Sequence, residues 1–229
     1  MRERLLQALC LVVLGLVGTG LTDDARAADA PAPDAWRLEK DTDGIEVWTR
    51  AVEGSRHRAV KARMIVPTPI PELVAIIRDT EACSEWAQFC AESHIHESLS
   101  PAEAYIYTLN DMPWPVGDRD ALTHVVWSTD ETDGSVRMVA SATEGILEPR
   151  RGRVRLTDAR SNWILSPTED GMTEVVSEAH VDPAGPVPAW ITNMLLVDAP
   201  FQTMARLRDL GATGRYAGAE LEFLGASAH

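Results

Sequence analysis

The stretch Asp182-Pro183-Ala184-Gly185-Pro186-Val187-Pro188, continued by Ala189-Trp190-Ile191-Thr192-Asn193-Met194-Leu195-Leu196, decides how the chain folds. Three prolines and a glycine end any strand that enters the stretch, because proline cannot supply a ladder N–H. From 189 to about 210 apolar residues then recur at helical spacing, which predicts one long amphipathic helix. Upstream, residues 94–181 read almost wholly as strands: 95–99, 104–110, 121–128, 136–143, 152–158, 162–165 and 173–181, with turns at Asp133-Gly134 and Asp170-Gly171. Many short strands in series imply an antiparallel meander. A lone long helix after such a sheet buries its apolar stripe by lying across the concave face, and side chains or a ligand fill the space between.

Before the meander, Asp43-Gly44 is a turn between an opening segment at Trp36 and Leu38 and a strand at 45–52; a second strand follows at 57–66. Pro67, Pro69 and Pro71 stop the sheet and start a helix at Glu72, with Leu73, Ile76 and Ile77 on its apolar face. It ends near Thr80, and a second short helix is expected at 84–91.

The chain has 229 residues, 45% of them apolar, and a formal net charge of −14. That is a globular composition, and it disfavours nucleic acid as a partner, since phosphate backbones are held by clustered Lys and Arg. Arg2 and Arg4 precede an apolar run from Leu5 to Leu21, with a small-residue stop at Ala25-Arg26-Ala27. Residues 1–27 therefore read as a secretory signal peptide, with an uncleaved membrane anchor as the alternative. A leader at 28–34, a domain at 35–211 and a loose Gly- and Ala-rich tail at 212–229 complete the expected organisation. The location would be periplasmic or secreted. Export permits a disulfide between Cys83 and Cys90. On one straight helix these would lie about 10 Å apart, so a bond requires a turn between them; the alternative is two buried thiols.

Motifs for catalysis are weak. There is no Gly-x-Ser-x-Gly elbow, phosphate loop or dinucleotide fingerprint, and no cofactor is expected. His94 and His96, two apart on a strand, could ligate a metal with His124 or His180, or could simply sit on a solvated face. Arg119 opens a strand whose alternate residues Ala121, Thr123, Val125 and Trp127 are small or apolar. If that set faces inward, Arg119 is either a cation at a cavity mouth or one half of a rim salt bridge with Asp111, Asp118 or Asp120. On the last helix Asn193, Leu196, Pro200, Thr203 and Leu207 form a stripe that mixes small and polar groups with leucines. Pro200 should bend or loosen that helix midway.

Met112-Pro113-Trp114-Pro115-Val116-Gly117-Asp118-Arg119-Asp120 resembles the Pro-aromatic-Pro-x-x-x-Arg-Asp motif of START domains, the lipid-transfer domains related to steroidogenic acute regulatory protein. Asp43-Gly44-Ile45-Glu46-Val47, Asp79 with Trp86, and the stretch from Asp182 through Pro188 to Trp190 agree in order. The likeness, to a bacterial secreted type, spans roughly residues 35–211. It implies an α+β helix-grip fold: a curved antiparallel sheet wrapped around the long C-terminal helix, with one lipid, a sterol, phospholipid or similar apolar molecule, in an internal tunnel. It also implies binding and transfer without catalysis. Lipid-contacting residues would be Arg119, Ala121, Thr123, Val125, Trp127, Asn193, Leu196, Pro200, Thr203 and Leu207. Some sterol-binding relatives bring a second Arg into the tunnel where this chain has Val125, leaving Arg119 as the clearest charged candidate. The alternatives are a small helix-grip enzyme, such as a cyclase or hydrolase, and a ligand-gated interaction module. The inward set contains no His, Glu or Asp to serve an enzyme.

Transient membrane contact is expected at one loop. Ile146 and Leu147 precede Arg150, Arg151, Arg153 and Arg155 in an otherwise acidic chain, and an apolar tip backed by cations suits an anionic lipid surface. In START relatives this loop would lie beside the last helix at the tunnel entrance. Alternatively, Ile146 and Leu147 cap the core and the arginines pair with nearby carboxylates. Protein partners are unknown.

Overall fold

The computed structural model of the protein describes residues 35–225. The expected signal peptide and leader lie outside them, as does the end of the tail.

Asp43 and Gly44, both with positive φ, make the tight turn that pairs β1 (Arg37–Thr42) with β2 (Ile45–Arg50). β3 (Ala59–Val66) follows, then α1 (Ile70–Arg78), opened by Pro69 and Pro71 and burying Leu73, Val74 and Ile76. α2 (Cys83–Trp86) is a single turn. The meander is β4 (Cys90–Ser100), β5 (Glu103–Asn110), β6 (Arg119–Thr129) and β7 (Val136–Ala142), continued by β9 (Ala159–Pro167) and β10 (Thr173–Val181) around the short β8 (Val154–Arg155). The strand order is β1-β2-β3-β10-β9-β7-β6-β5-β4, all antiparallel, with β8 alone running parallel to β6. Because β10 returns to β3, the hairpin at the start of the chain and the later meander form one curved sheet.

The long helix is present as α3 (Ala189–Asn193), a π turn (Met194–Asp198) and α4 (Ala199–Ala212). α4 lies on β2, β3, α1 and α2. The core between it and the sheet is built from Ile45, Met64, Leu73, Ile76, Val125, Trp127, Leu165, Met204 and Leu207.

Three expectations need correction. Residues 84–91 are not one helix: α2 ends at Trp86, and Cys90 already belongs to β4, a turn that lets Cys83 and Cys90 bond with Cα atoms 5.9 Å apart. The strand expected at 152–158 shrinks to two residues, because the chain there hydrogen-bonds along the edge of β6 only at its first two residues, Arg119 and Asp120, before turning away. The tail is not loose through 223. The Tyr216 hydroxyl donates to Asp79 at 2.8 Å, Arg215 pairs with Glu85 at 2.7 Å, and Phe223 stands edge-on to Trp127 at 6.3 Å.

Candidate functional site

Between the sheet and the C-terminal helix lies a cavity of about 430 Å³. Its floor is the concave face at one end of β3, β9 and β10: Val60, Ser161, Trp163, Ser177, Ala179 and Val181. Pairing of Trp163 with Ser177, and of Ser161 and Val60 with Ala179, puts these on one face by the period-2 rule. Trp86 meets Trp163 edge-on, 5.9 Å between centroids, and the tightly packed core lies beyond this pair.

The roof is Thr192, Leu195, Leu196, Ala199, Pro200 and Thr203. Pro200 has no N–H to donate, and the turn before it widens so that Ala199 N–H reaches the Met194 carbonyl, five residues back. This extra residue places consecutive pairs, Leu195 with Leu196 and Ala199 with Pro200, on the cavity.

Gln88, Phe89, Asn110, Met112, Arg119, Leu156, Pro183, His57 and Arg58 complete the wall. Gln88 and Phe89 belong to the loop closed by the Cys83–Cys90 bond. Gln88 N–H donates to Thr203 Oγ1 at 3.0 Å, fastening that loop to the roof, and Phe89 takes φ 70°. The Gln88 Oε1 atom is buried in the wall without a hydrogen-bond partner among the described residues.

Arg119 is buried, and its guanidinium is spent on backbone. Nε donates to the Pro183 carbonyl at 3.2 Å, one terminal nitrogen donates to Ala184 at 3.3 Å and the other to Gly117. Burial pushes its pKa down, and Asp118 partly offsets this. It thus staples the Pro113–Arg119 loop to the Asp182–Pro188 turn, joining two motifs that are far apart in sequence.

On the opposite face of β6, Asp120 is fully buried and takes two hydrogen bonds from Arg155, at 2.9 and 3.1 Å. The buried Tyr107 donates to Asp120 at 3.2 Å and accepts from Arg153 at 2.6 Å, and Arg150 stacks over its ring. Burial alone would raise the Asp120 carboxyl. The hydrogen bonds and charge of Arg155 outweigh it and hold the carboxyl below the usual carboxylate range. Burial raises the Tyr107 phenol, with Arg153 opposing.

Of the ten expected lipid contacts, Arg119, Leu196, Pro200 and Thr203 line the cavity. Val125, Trp127 and Leu207 sit in the packed core, Ala121 is buried away from the cavity, and half-buried Thr123 donates to the Ile106 carbonyl. Asn193 is exposed, because the wide turn shifts the helix register by one residue and brings Thr192 to the cavity instead. The loop expected to dock on membranes lies apart from the cavity lining. Neither Ile146, Leu147, Arg150 nor Arg151 lines the cavity; Arg155 holds the Leu147 and Glu148 carbonyls and so fixes the segment on the sheet's outer face.

Of the four histidines weighed as ligands, His94 leans on the Tyr107 ring, His124 bonds Glu103 at 2.6 Å and His180 bonds Ser55 at 3.1 Å. A bulge after Ile95 breaks the His94–His96 alternation. Among the described residues no His, Cys, Asp or Glu group is arranged to hold a metal. Val60, Ser161, Trp163, Ser177 and Ala179 were readable as strand alternation but were not assigned inward, whereas Gln88 and Phe89 were hidden by the helical reading of 84–91.

Comparison with known proteins converges on this architecture. The START domain family model matches residues 29–209. An uncharacterised protein of Pseudomonas aeruginosa is 31% identical over 201 residues, covering 87% of this chain and 93% of that one. The crystal structure of a fragment of a STAR-related lipid transfer protein from Xanthomonas axonopodis is 32% identical, with TM-score 0.71, over 78% of this chain and 99% of that one. Human STARD10 shares the fold at 21% identity, TM-score 0.69, over 82% of this chain and 77% of that one.

Proposed function

The chain belongs to the START domain family, and from that premise we propose that it binds a single lipid in its internal cavity and transfers it between membranes without chemical change. One observation carries the reading: a cavity of about 430 Å³, walled mainly by apolar side chains and roofed by a helix with a built-in irregularity. That volume lies within the range of small-molecule sites, roughly 300–1,000 Å³. Burial of hydrocarbon supplies the driving force at about 25 cal/mol per Å². Among the described residues no Asp or Glu lines the cavity. His57 Nε2 accepts from Arg56 Nε at 3.2 Å and lies 3.4 Å from Asp182 Oδ1, with no hydroxyl or thiol nucleophile bonded to the ring among the described residues, which favours carriage over catalysis.

Membrane contact fits the cavity end better than the 146–151 loop. Trp114, 89% exposed, lies two residues from Met112, and Trp190, 55% exposed, lies two residues from Thr192. Arg119 ties the loop of Trp114 to the turn that leads into α3, where Trp190 sits. Tryptophan rings favour the membrane–water interface. Residues 1–27 would direct export to the periplasm or beyond.

A vesicle-to-vesicle transfer assay tests this. Trp114→Ser with Trp190→Ser should slow transfer at least several-fold at unchanged equilibrium binding, whereas Ile146→Ser with Leu147→Ser should leave the rate intact. The reverse pattern would return docking to the 146–151 loop, and no transfer by the unaltered protein would reject the carrier reading.

A further inference from the structure

The arginine-rich segment of this acidic chain takes no part in the cavity, and its geometry gives it a separate use. Beside Ile146 the chain is tied down, since Arg155 donates to the Leu147 and Glu148 carbonyls and pairs with Asp120. The arginines that follow have no such ties. Arg150 lies over the Tyr107 ring, 4.7 Å from its centroid, and Arg153 donates to the Tyr107 hydroxyl at 2.6 Å, so two guanidinia converge on one phenol. Arg150, Arg151 and Arg153 have no carboxylate partner among the described residues. Over residues 144–155 four arginines stand against Glu144 and Glu148.

These cations share one end of the sheet with the exposed tryptophans. β8 runs parallel to β6 with Val154 level with Arg119, and Val154 N–H donates to the Asp118 carbonyl at 2.9 Å. That register carries residues 152 and 153 past the end of β6, alongside 117 and 118. There the Arg153 N–H closes a turn onto the Arg150 carbonyl at 3.3 Å. The neighbouring 112–118 loop is closed by Met112 N–H donating to Asp118 Oδ1 at 3.2 Å, and it presents Trp114 with 89% of its surface exposed. Arg119, next to Asp118, joins that loop to the turn before Trp190.

Resting on the carrier reading above, we infer that the 150–153 turn and Trp114 form one docking surface for an anionic membrane leaflet, with the indole in the interface and the guanidinia on anionic headgroups. An acidic protein would also meet the arginines, but a bare tryptophan beside them fits the lipid boundary. The chain charge of −14 does not oppose this contact. At 0.15 M salt the Debye length is about 8 Å, so carboxylates elsewhere on the chain are largely screened from a surface that the arginines touch.

Co-sedimentation with vesicles tests the surface without requiring transfer. Phosphatidylcholine vesicles are compared with vesicles of phosphatidylcholine and phosphatidylglycerol in equal parts. Each cation near an anionic surface strengthens binding by about fivefold. The unaltered protein should therefore prefer the mixed vesicles by about tenfold or more at 0.15 M salt, and lose the preference at about 1 M. Arg150→Gln with Arg151→Gln should remove most of the preference and leave binding to phosphatidylcholine unchanged; Arg153 stays in place because it bonds Tyr107. Arg150→Lys with Arg151→Lys should keep the preference. Trp114→Ser should weaken binding to both vesicles by a similar factor.

Equal binding of the two vesicles by the unaltered protein would overturn the surface and leave the carrier reading standing. A preference that survives both glutamines would overturn it as well, and loss of the preference in the lysine variant would show a stereospecific anion site instead. Vesicle binding that follows the predicted pattern without any lipid transfer would uphold the surface and reject the carrier reading.

Discussion

Replacing Asp120 by Asn should be among the most destabilising single changes in this domain, and the reason lies on the sheet face away from the cavity. Asp120 is 0% exposed and the side chain of its partner Arg155 is 9% exposed. The substitution leaves a nearly buried guanidinium without its counter-charge and weakens the acceptor used by Tyr107. Breaking one side of a buried pair costs about 3–5 kcal/mol, whereas exchanging both partners for apolar groups is often close to neutral. Arg155→Met alone should cost a similar amount, since it strands the carboxylate. Asp120→Leu with Arg155→Met should then cost less than the sum of the single losses by at least about 1 kcal/mol, the signature of direct coupling. Urea denaturation followed by far-UV circular dichroism measures all of these. A pH series adds an independent check. Because the folded-state pKa is depressed, the pair's contribution is present above the unfolded carboxyl pKa of about 3.9 and is lost as pH falls through the lower folded value. The Asp120→Asn protein should lack that acid-side loss. Single-variant costs below about 1 kcal/mol, or strict additivity in the double variant, would refute the buried-pair account.

Other perturbations separate cavity from core. Leu196→Trp, in the roof, should fill the cavity and cut ligand binding with little change in stability, while Val125→Trp, in the packed core, should cost about 1–3 kcal/mol and leave binding by the folded fraction intact; thermal melts beside binding isotherms decide. Removing both cysteines opens a loop that spans a sequence separation of 7, worth about 2.5 kcal/mol in the chain-entropy picture. It should also weaken ligand binding because that loop carries Gln88 and Phe89; undiminished affinity would detach the loop from the site. Gly211→Ala places a methyl 2.7 Å from Thr68 Oγ1 and 3.1 Å from its Cγ2. It should therefore destabilise, although alanine is favoured in helices by about 1 kcal/mol; a raised melting temperature would contradict the packing.

Much of the fold is visible in local pattern. The turn at Asp43-Gly44, the prolines before α1 and the Asp182–Pro188 break each follow from backbone chemistry that nearby residues cannot override. The loop between Trp86 and Cys90 was not visible, because the apolar residues Trp86, Ala87 and Phe89 fit a helical face as well as a turn, and the turn is held by partners distant in the sequence or by the Cys83–Cys90 bond. The site was half legible for a similar reason. Alternation correctly grouped Arg119 with Val125 and Trp127 on the inner face, but a face is not a cavity. Where along a strand the interior is filled depends on bulky partners such as Trp86 and Phe223 that arrive from distant segments. The helix stripe slipped for a sharper reason: a regular 3.6-residue period cannot anticipate the extra residue of the turn before Pro200. Arg119 lines the cavity, yet its staple to Pro183 and Ala184 depends on loop carbonyls that carry no sequence signature.

The central claim is that this cavity carries one lipid. Native mass spectrometry of the protein purified from its own host, with analysis of the extracted ligand, tests it most directly. The account predicts a single apolar molecule bound one to one, released on unfolding and excluded by Leu196→Trp. Protein that remains empty after purification and after incubation with several membranes of different composition would contradict it.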